Sequence, residues 1–380
     1  MNSIRVSDLQ PGQKYDKPVY VDGVNLLVPA GLPIKAKDIE RLRKWGVEAV
    51  TTEGSLIQDD LIGGRASYVQ QAFTSPEQRE VLARYSSLRD QLSGIHDRIR
   101  SREPVAVEEI DAIVDDLFRL LGDRRNEVIQ LVLYGLQGES GYVENAINST
   151  VLALLTGGSL QMVKHKLLQL ATATLLHDVG MLRLPREIID KKGKLDSEEL
   201  RQVRTHPIHS YRIITKELRY PEDIGIAALQ HQERFDGQGY PKGLAGKGIV
   251  LAARIIAVAD AFEAMVSKRP YRSPMIGYTA MRTILGDNSR RFDPDILKVF
   301  IRTMGIYPIG SVVVLNNSCV GRVVQTNPQA PLRPKVKIMI DEMGREFPHD
   351  KGKVIDLQQT REVFIARAVD PNELAESSTA

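Results

Sequence analysis

The stretch from LLHDVG at residues 175–180 to RPYR at residues 269–272 decides the fold, because histidines and aspartates interrupt its apolar segments at regular intervals. These side chains are His177, Asp178, His206, His231 and Asp260. Each interval has the length of about one helix plus its connection. All-helical proteins commonly build metal centres from ligands that separate helices deliver into the bundle interior. The spacing therefore predicts a helical bundle with a metal site inside it.

Asp260 is the strongest single indication of that site. It lies in the mostly apolar run LAARIIAVADAF at residues 251–262, which predicts a buried helix. A buried carboxylate without a partner would be costly, so a cation or a buried Arg or Lys must compensate it. We favour a metal site over a purely structural ion pair, which stays open as the alternative.

The same stretch resembles the HD-GYP domain, a branch of the HD superfamily of metal-dependent phosphohydrolases whose usual substrate is cyclic di-GMP. The matching motifs are HDVG (177–180), LP (184–185), KGKL (192–195), HP (206–207), HQE (231–233), DGQGYP (236–241), AD (259–260) and RPYR (269–272). They cover roughly residues 140 to 300. The resemblance implies a mainly α fold, an HD-superfamily helical bundle, with a small α/β N-terminal domain and a small β C-terminal module.

The resemblance also implies a ligand set for two metal ions. Asp178 would bridge them, with His177, Asp260 and position 145 on one side and His206, His231 and position 232 on the other. In the family, Asp178 and His177 also stand at the catalytic centre. Two close metal ions lower the pKa of a bridging water and hold the phosphate oxygens.

Three positions of this centre depart from the family pattern. Asn145 and Gln232 stand where the family has histidines, and Met181 stands where a lysine follows the HD-x-G element. Amide oxygens suit hard cations such as Mg, Mn or Ca better than iron or zinc. A thioether carries no charge for a phosphate or a leaving group. We therefore expect a divalent metal, with Mg or Mn favoured over Fe, at low or single occupancy, and little hydrolysis.

Basic residues around the motifs are predicted to bind phosphate. They are Arg183, Arg186, Lys192, Arg269 and Arg272. Arginine forks suit bidentate contacts to phosphate oxygens. Solvated surface charges are the alternative for the first three, whereas the last two lie in a family motif.

Gly239, Tyr240 and Pro241 form the GYP loop, which we expect to be a fixed loop at the mouth of the site. In relatives this loop is linked to protein contacts, including contacts with diguanylate cyclase domains. A structural turn with a packed tyrosine is the alternative.

Three functions stay open. The first is a signalling protein that binds cyclic di-GMP or a related nucleotide with weak or absent hydrolysis. The second is an active phosphodiesterase that produces pGpG or GMP, and the third is a protein-interaction scaffold without a ligand. Whether the chain is an enzyme is therefore undecided at this point.

The other histidines are not expected to carry the chemistry. His96 and His349 each precede an aspartate, but neither sits in an apolar helix followed by a glycine turn, so we interpret both pairs as surface coincidences. His165, flanked by lysines, is predicted to be exposed. His209 shares a helix face with His206 and could line the rim of the site.

Composition narrows the remaining classes of function. The chain has 380 residues, a formal net charge of +3 and a pI of about 8.8. No basic run with interleaved aromatic residues occurs, so nucleic-acid binding is not proposed. The single cysteine, Cys319, fits a reducing compartment. No signal peptide and no apolar run of about 18 residues is evident, so we expect a cytoplasmic protein without a membrane span.

The sequence predicts five segments. They are a small α/β domain at 1–65, helices at 66–136, the HD-GYP domain at 137–306, a small β module at 307–367 and a flexible tail at 368–380. In the first, Asp22-Gly23 predicts a hairpin within residues 19–28. In the second, an apolar stripe at three- and four-residue spacing predicts amphipathic helices, with a break near Glu103-Pro104. Helices that precede this type of domain often mediate dimerisation, so a homodimer stays open as an alternative to packing within the chain.

Overall fold

The chain divides into two units, one formed by Ser75–Ile306 and the other by Met1–Thr74 together with Tyr307–Ala380. The computed structural model describes residues 2–10, 13, 15–30, 34, 36–56, 75–134, 141–189, 191, 193–267, 275–287, 291–347 and 351–369. The larger unit is helical, and the smaller contains two β-sheets. The predicted architecture, a mainly α helical bundle with a small α/β part and a small β part, is confirmed.

The first sheet belongs to the N-terminal part of the smaller unit. Its elements are β1 (Asn2–Arg5), β2 (Val19–Tyr20), β3 (Leu26–Val28), α1 (Ala36–Lys44) and β4 (Ala49–Thr52). The strand order is β1-β4-β2-β3, and β2 pairs antiparallel with β3. The Asp22 carboxylate accepts the backbone N–H of Asn25 at 2.7 Å, and Gly23 has φ of 83°. The predicted hairpin at Asp22-Gly23 is therefore confirmed.

The second sheet belongs to the C-terminal part of the same unit. Its strands are β5 (Val312–Leu315), β6 (Val320–Gln325), β7 (Lys335–Ile340), β8 (Val354–Asp356) and β9 (Ile365–Val369). The order is β8-β7-β6-β5-β9, with antiparallel pairing throughout. Valines of β5 are buried on both faces of the strand, which indicates that the sheet is covered on each side.

The two sheets share one hydrophobic core. Buried side chains of the N-terminal part, such as Leu42 and Val50, belong to the same cluster as Val312, Val314 and Val320 of the C-terminal part. The sequence predicted two separate modules, and this common core is a feature that it did not reveal. The five predicted segment boundaries themselves stay a prediction.

The larger unit contains the remaining α-helices of the described residues. They are α2 (Pro76–Ser101), α3 (Val107–Asp123), α4 (Arg125–Tyr134), α5 (Tyr142–Ser159), α6 (Lys164–Leu175), α7 (Arg186–Ile189), α8 (Ser197–Val203), α9 (His206–Arg212), α10 (Glu222–Gln230), α11 (Leu251–Val266), α12 (Gly277–Gly286) and α13 (Pro294–Met304). A 3-10 helix at Val179–Arg183 joins α6 to α7, and a π-helical turn at Ile213–Glu217 follows α9.

Local sequence explains where α2 begins and ends. Ser75 accepts the backbone N–H of Gln78, and the Gln78 side chain accepts the backbone N–H of Ser75, which forms a capping box before Pro76. Arg102 ends the helix in the left-handed conformation with φ of 60°. The helix break predicted near Glu103-Pro104 is confirmed, because α3 begins only at Val107.

Two helices that are buried almost all round form the centre of the larger unit. Helix α5 is buried from Asn145 to Gly157, and α11 is buried at most positions after Ala253. They pack on each other, and α5 also packs on α6. The rings of Phe262 on α11 and Phe300 on α13 meet edge to face, with centroids 5.2 Å apart. This packing places Asn145 beside Asp260 in the interior.

Candidate metal centre

Three buried histidines stand at helix ends and share one hydrogen-bond arrangement. His177 follows α6, His206 begins α9 and His231 follows α10. The Nδ1 atom of each donates to a backbone carbonyl three residues earlier, that of Thr174 at 2.6 Å, Val203 at 2.7 Å and Ala228 at 2.6 Å. A carbonyl can only accept, so Nδ1 carries a proton and each Nε2 has a lone pair when its ring is neutral. This is the tautomer that metal-binding histidines adopt.

The Asp178 carboxylate lies between these imidazoles. Its Oδ1 atom is 3.1 Å from Nε2 of His206 and 3.3 Å from Nε2 of His231. Its Oδ2 atom is 3.6 Å from Nε2 of His177, which in turn is 3.7 Å from Oδ1 of Asp260. The two carboxylate oxygens therefore face two groups of ligand atoms, the grouping that the resemblance implied.

The histidine pair on one side requires a positive charge. Nε2 of His206 and Nε2 of His231 are only 3.2 Å apart. Because both nitrogens carry lone pairs in this tautomer, they repel each other unless a proton or a metal ion lies between them. His177, Asp178 and His231 also present ligand atoms that lie within 4.8 Å of one another.

Several atoms of the cluster are buried and lack a hydrogen-bond partner within the described residues. They are Asn145 Oδ1, His177 Nε2 and Asp178 Oδ1. Unpaired buried acceptors are costly, and all three are types of atom that bind metal ions. The residues present therefore fit a divalent cation. The Asp178 side chain keeps 20% exposure, so a ligand from solvent can reach it.

The pKa shifts of His177, Asp178 and Asp260 also indicate a site for a cation. Burial alone would lower the pKa of His177, but Asp178 and Asp260 outweigh it and raise that pKa to about 9. Burial would raise the pKa values of both carboxyls, but the neighbouring imidazoles hold them below their usual range. Without a cation, the two carboxylates thus favour a second proton on Nε2 of His177, which a bound cation would displace.

Gly180 allows the 3-10 helix after Asp178 to lie against α9. A Cβ atom there would collide with the carbonyl oxygen of His206 and the backbone nitrogen of Ser210. The Gly180 N–H donates to the Ser210 hydroxyl at 2.9 Å. The glycine of the HD-x-G element therefore brings Asp178 and His206 to hydrogen-bonding distance.

The three substituted positions differ in their surroundings. Asn145 is buried, and its Nδ2 atom donates to Asp260 at 3.1 Å and to Glu263 at 2.6 Å. Gln232 is partly exposed, and its backbone carbonyl accepts the N–H of Tyr240 at 3.3 Å. Met181 is buried on the 3-10 helix. Each side chain is neutral, as the sequence analysis noted.

The GYP loop packs against the metal centre. The Tyr240 ring is 6.2 Å from the His206 ring, and the Arg204 guanidinium lies 5.6 Å from the Tyr240 centroid. Burial, followed by the charges of Asp178 and Asp260, raises the pKa of Tyr240. The buried Glu233 carboxylate accepts the N–H of Lys242 at 2.7 Å and of Leu244 at 2.9 Å, which ties down the loop after Pro241.

Gly239 in the same loop has no room for a side chain. A Cβ atom at this position would overlap the backbone of Glu233 and Arg234. The loop is therefore a fixed turn with a packed tyrosine, which both interpretations of the GYP motif require. This packing does not test a role in protein contacts.

The residues predicted to bind phosphate differ in their surroundings. Arg183 donates to the Ile99 carbonyl at 2.5 Å and to Glu217 at 2.6 Å, so its guanidinium is engaged within the fold. Its phosphate role stays a prediction. Arg186 is exposed. The predictions for Lys192, Arg269 and Arg272 fall outside the described residues.

One of the other histidines was interpreted wrongly. His96 is buried with 5% exposure on α2, and its Nε2 atom has no hydrogen-bond partner among the described residues. Burial is the main cause that lowers its pKa to about 4. The prediction for His165 is confirmed, since it is exposed, and His209 is partly buried. His349 lies outside the described residues.

Sequence reasoning also missed three residues next to the centre. Glu263 is fully buried, and it follows Asp260 by three residues on the same face of α11, a signal that the apolar run contained. Asn148 stands one turn after Asn145 on α5. Tyr85 lies on α2, so far from the HD motif along the chain that no sequence pattern links it to the site.

Of the helices that the structure describes, none combines the length and apolar character that crossing a bilayer requires.

Comparison with known proteins agrees with this geometry. Residues 110–296 match the HD domain family, and residues 312–377 match the family described as a KOW domain associated with HD domain. Cyclic di-GMP phosphodiesterase PdeB of Borreliella burgdorferi is 24% identical over 90% of this chain and 87% of its own length. Cyclic di-GMP phosphodiesterase PA4108 of Pseudomonas aeruginosa is 32% identical over 60% of this chain and 54% of its own length, so the match spans about half of that relative.

A solved structure also resembles this one. Bd1817, described as an HDGYP protein from Bdellovibrio bacteriovorus, is 18% identical and aligns over 79% of this chain and 97% of its own with a TM-score of 0.48. The HD domain match, the cyclic di-GMP phosphodiesterase relatives and the motifs around His177-Asp178 together show that the chain belongs to the HD-GYP family of HD domain proteins.

Proposed function

We propose that this protein is a cyclic di-GMP signalling protein that binds the nucleotide, or a related one, at a divalent metal site with weak or absent hydrolysis. The observation that carries the proposal is the set of three imidazoles whose Nε2 lone pairs converge around Asp178. Relatives named as cyclic di-GMP phosphodiesterases suggest the nucleotide.

The proposed ligands are His177, Asp178, His206, His231 and Asp260, with Asn145 and Gln232 as further oxygen donors. A divalent cation held there would neutralise phosphate charge and lower the pKa of a bound water. The amide oxygens favour Mg or Mn over Fe. Asp178 orients both groups of ligands, because each of its oxygens faces one of them.

Weak hydrolysis is proposed because neutral side chains stand at three positions of the centre, Asn145, Met181 and Gln232. Met181 offers a thioether where the family has an ammonium group. Asn145 offers an amide where the family has an imidazole. Losses of this kind typically reduce activity or metal affinity by about 10- to 100-fold each. Binding depends less on them, because phosphate oxygens can still contact the cation.

An active phosphodiesterase that yields pGpG or GMP is the second candidate. It is favoured by one specific observation, the match to PdeB over most of both chains. In this case the amide ligands would support turnover with Mn or Mg.

Calorimetric titration with cyclic di-GMP in the presence of Mn²⁺ tests the first proposal, and chromatography of the same mixtures tests the second. Binding without product supports the signalling role. Turnover that Asp178→Ala abolishes supports the enzyme. If neither binding nor turnover is seen with Mn²⁺, Mg²⁺ or Fe²⁺, a scaffold without a ligand is left, and the nucleotide proposals are rejected.

Contacts with diguanylate cyclase-domain proteins through Gly239, Tyr240 and Pro241 remain part of the proposal. Pro241 and the adjoining Lys242 line a surface cavity with Ile208, Tyr211 and Leu229, which gives the loop an accessible side. A pull-down with such a domain, compared between the wild type and a Lys242→Glu variant, tests this contact.

A further inference from the structure

A buried polar chain connects helix α2 to the candidate metal centre. The Tyr85 hydroxyl donates to Oδ1 of Asn148 at 2.8 Å, and Nδ2 of Asn148 donates to Oε1 of Glu263 at 3.2 Å. Oε2 of Glu263 accepts from Nδ2 of Asn145 at 2.6 Å, and the same Nδ2 donates to Asp260 at 3.1 Å. The chain thus runs from a residue far outside the HD motif to a residue of the site.

These contacts determine which atom Asn145 offers to a cation. Its amide nitrogen has two hydrogens, and the two carboxylates of Asp260 and Glu263 accept from it. The oxygen on the other side of the amide is buried and has no hydrogen-bond partner among the described residues. If the amide turned over, its oxygen would face two anionic carboxylates, which electrostatic repulsion disfavours.

Glu263 is in turn held by its own partners. It is fully buried, and a buried carboxylate is tolerated only when donors surround it. Asn145 and Asn148 supply amide hydrogens, and the Ser267 hydroxyl donates to Oε1. Tyr85 occupies the oxygen of Asn148, which leaves the amide hydrogens of Asn148 directed to Glu263. Each member therefore fixes the orientation of the next.

We propose that Tyr85, Asn148 and Glu263 are positioning residues that hold the Asn145 oxygen toward the bound cation, so that the placement of α2 sets cation affinity. This inference rests on the metal centre of the proposed function but does not require nucleotide binding. A purely structural role would make the same residues matter for folding without any effect on metal affinity.

The test measures Mn²⁺ binding to the full chain by electron paramagnetic resonance and calorimetry, without nucleotide. Tyr85→Phe removes one hydroxyl and no ligand atom. Tyr220→Phe is the matched control, because the Tyr220 hydroxyl donates to Asp111 at 2.7 Å and contacts none of these residues. Glu263→Gln keeps the size of the side chain and removes its charge.

We expect Glu263→Gln to weaken Mn²⁺ binding by about 10-fold, as is typical of residues that orient a ligand. Tyr85→Phe should weaken it in the same direction by a smaller factor, and Tyr220→Phe should leave it unchanged. Thermal unfolding in EDTA identifies folded variants. If Glu263→Gln fails to fold, Tyr85→Phe and Ser267→Ala carry the test.

Wild-type affinity for Mn²⁺ in both Tyr85→Phe and Ser267→Ala would overturn the inference, and so would an equal loss in Tyr220→Phe. Absence of Mn²⁺ binding in the wild type would also overturn it. A parallel titration with cyclic di-GMP separates the two failures. If the wild type binds the nucleotide with Mn²⁺ but the variants keep wild-type Mn²⁺ affinity, only the positioning role is rejected. If Mn²⁺ binds but the nucleotide does not, only the proposed function is rejected.

Discussion

At the residue scale, the residues that cluster at the candidate site could be predicted, whereas the orientation of their side-chain atoms could not. The spacing of His177, His206 and His231 and the apolar surroundings of Asp260 were visible in the sequence. The carbonyl that accepts from each Nδ1 lies three residues earlier in the chain, but only the backbone geometry reveals it. The role of Glu263 was hidden because its two amide partners, Asn145 and Asn148, lie on α5, far away in the chain.

Asp178 is the residue whose loss should affect both halves of the centre. We expect Asp178→Asn to weaken Mn²⁺ binding by about 10- to 100-fold, since it removes the one charge that faces both groups of ligands. Asp260→Asn should weaken it less, because Asp260 faces only His177 among the imidazoles. Calorimetry at one pH compares them, and equal losses would contradict a bridging position.

Met181 is the residue whose substitution should increase hydrolysis. Met181→Lys places an ammonium group on the 3-10 helix beside Asp178, where it can stabilise charge on the leaving oxygen. We expect cyclic di-GMP turnover with Mn²⁺ to rise by about 10-fold or more. Chromatographic product analysis measures it, with Met181→Leu as the neutral control. An unchanged rate in a folded Met181→Lys variant would show that the missing lysine does not limit hydrolysis.

At the element scale, helix boundaries followed from local signals, but helix contacts did not. The capping box at Ser75 and the break before Val107 lie within a few residues of sequence. The contact between α2 and the 3-10 helix joins segments far apart in the chain. Arg183 shows the consequence, because its place beside family motifs suggested phosphate binding while its actual partners belong to α2 and Glu217.

Arg183 should therefore stabilise the fold and contribute little to nucleotide affinity. Its guanidinium donates to the last carbonyls of α2 and to Glu217, and hydrogen bonds to charged groups contribute about 1.5–3 kcal/mol. We expect Arg183→Ala to lower the free energy of unfolding by about that amount in urea titrations. The exposed Arg186→Ala is the control. Weaker cyclic di-GMP binding at unchanged stability would restore the phosphate role of Arg183.

At the scale of the whole molecule, acid should destabilise the protein through His96. Burial holds its pKa at about 4, with further effects of Arg100, Asp97 and Asp178, against an ordinary value of 6.5. Because the folded state disfavours the proton, this stability is present above pH 6.5 and is lost as pH falls from 6.5 toward 4. The loss amounts to about 3 kcal/mol.

Urea unfolding at several pH values from about 7.5, roughly one unit above this window, down to about 4.5, near its lower end, measures this effect. We expect His96→Gln, which stays neutral, to flatten the pH dependence. The exposed His165→Gln is the control and should follow the wild type. Identical slopes in all three proteins would show that the buried imidazole is not the acid-sensitive group.

The shared core of the smaller unit was not predictable, since short β-segments carry no signal of their distant partners. Its consequence is that neither half should be stable alone. We expect a chain that ends after Ile306 to lose amide protection in residues 2–56, because Val50 and Leu42 lose the apolar partners Val312 and Val314. Hydrogen exchange measures this. Protection should persist in α5 and α11, and a protected β4 would contradict the expectation.

The common core of β1–β4 and β5–β9 also affects the order of events during synthesis. The ribosome makes the N-terminal strands first, but the valines that cover them emerge only after all the helices of the larger unit. Domains generally fold as they emerge. Strands β1–β4 cannot complete their core as they emerge. Their apolar side chains therefore stay exposed, and accessible to chaperones, until β9 has been translated.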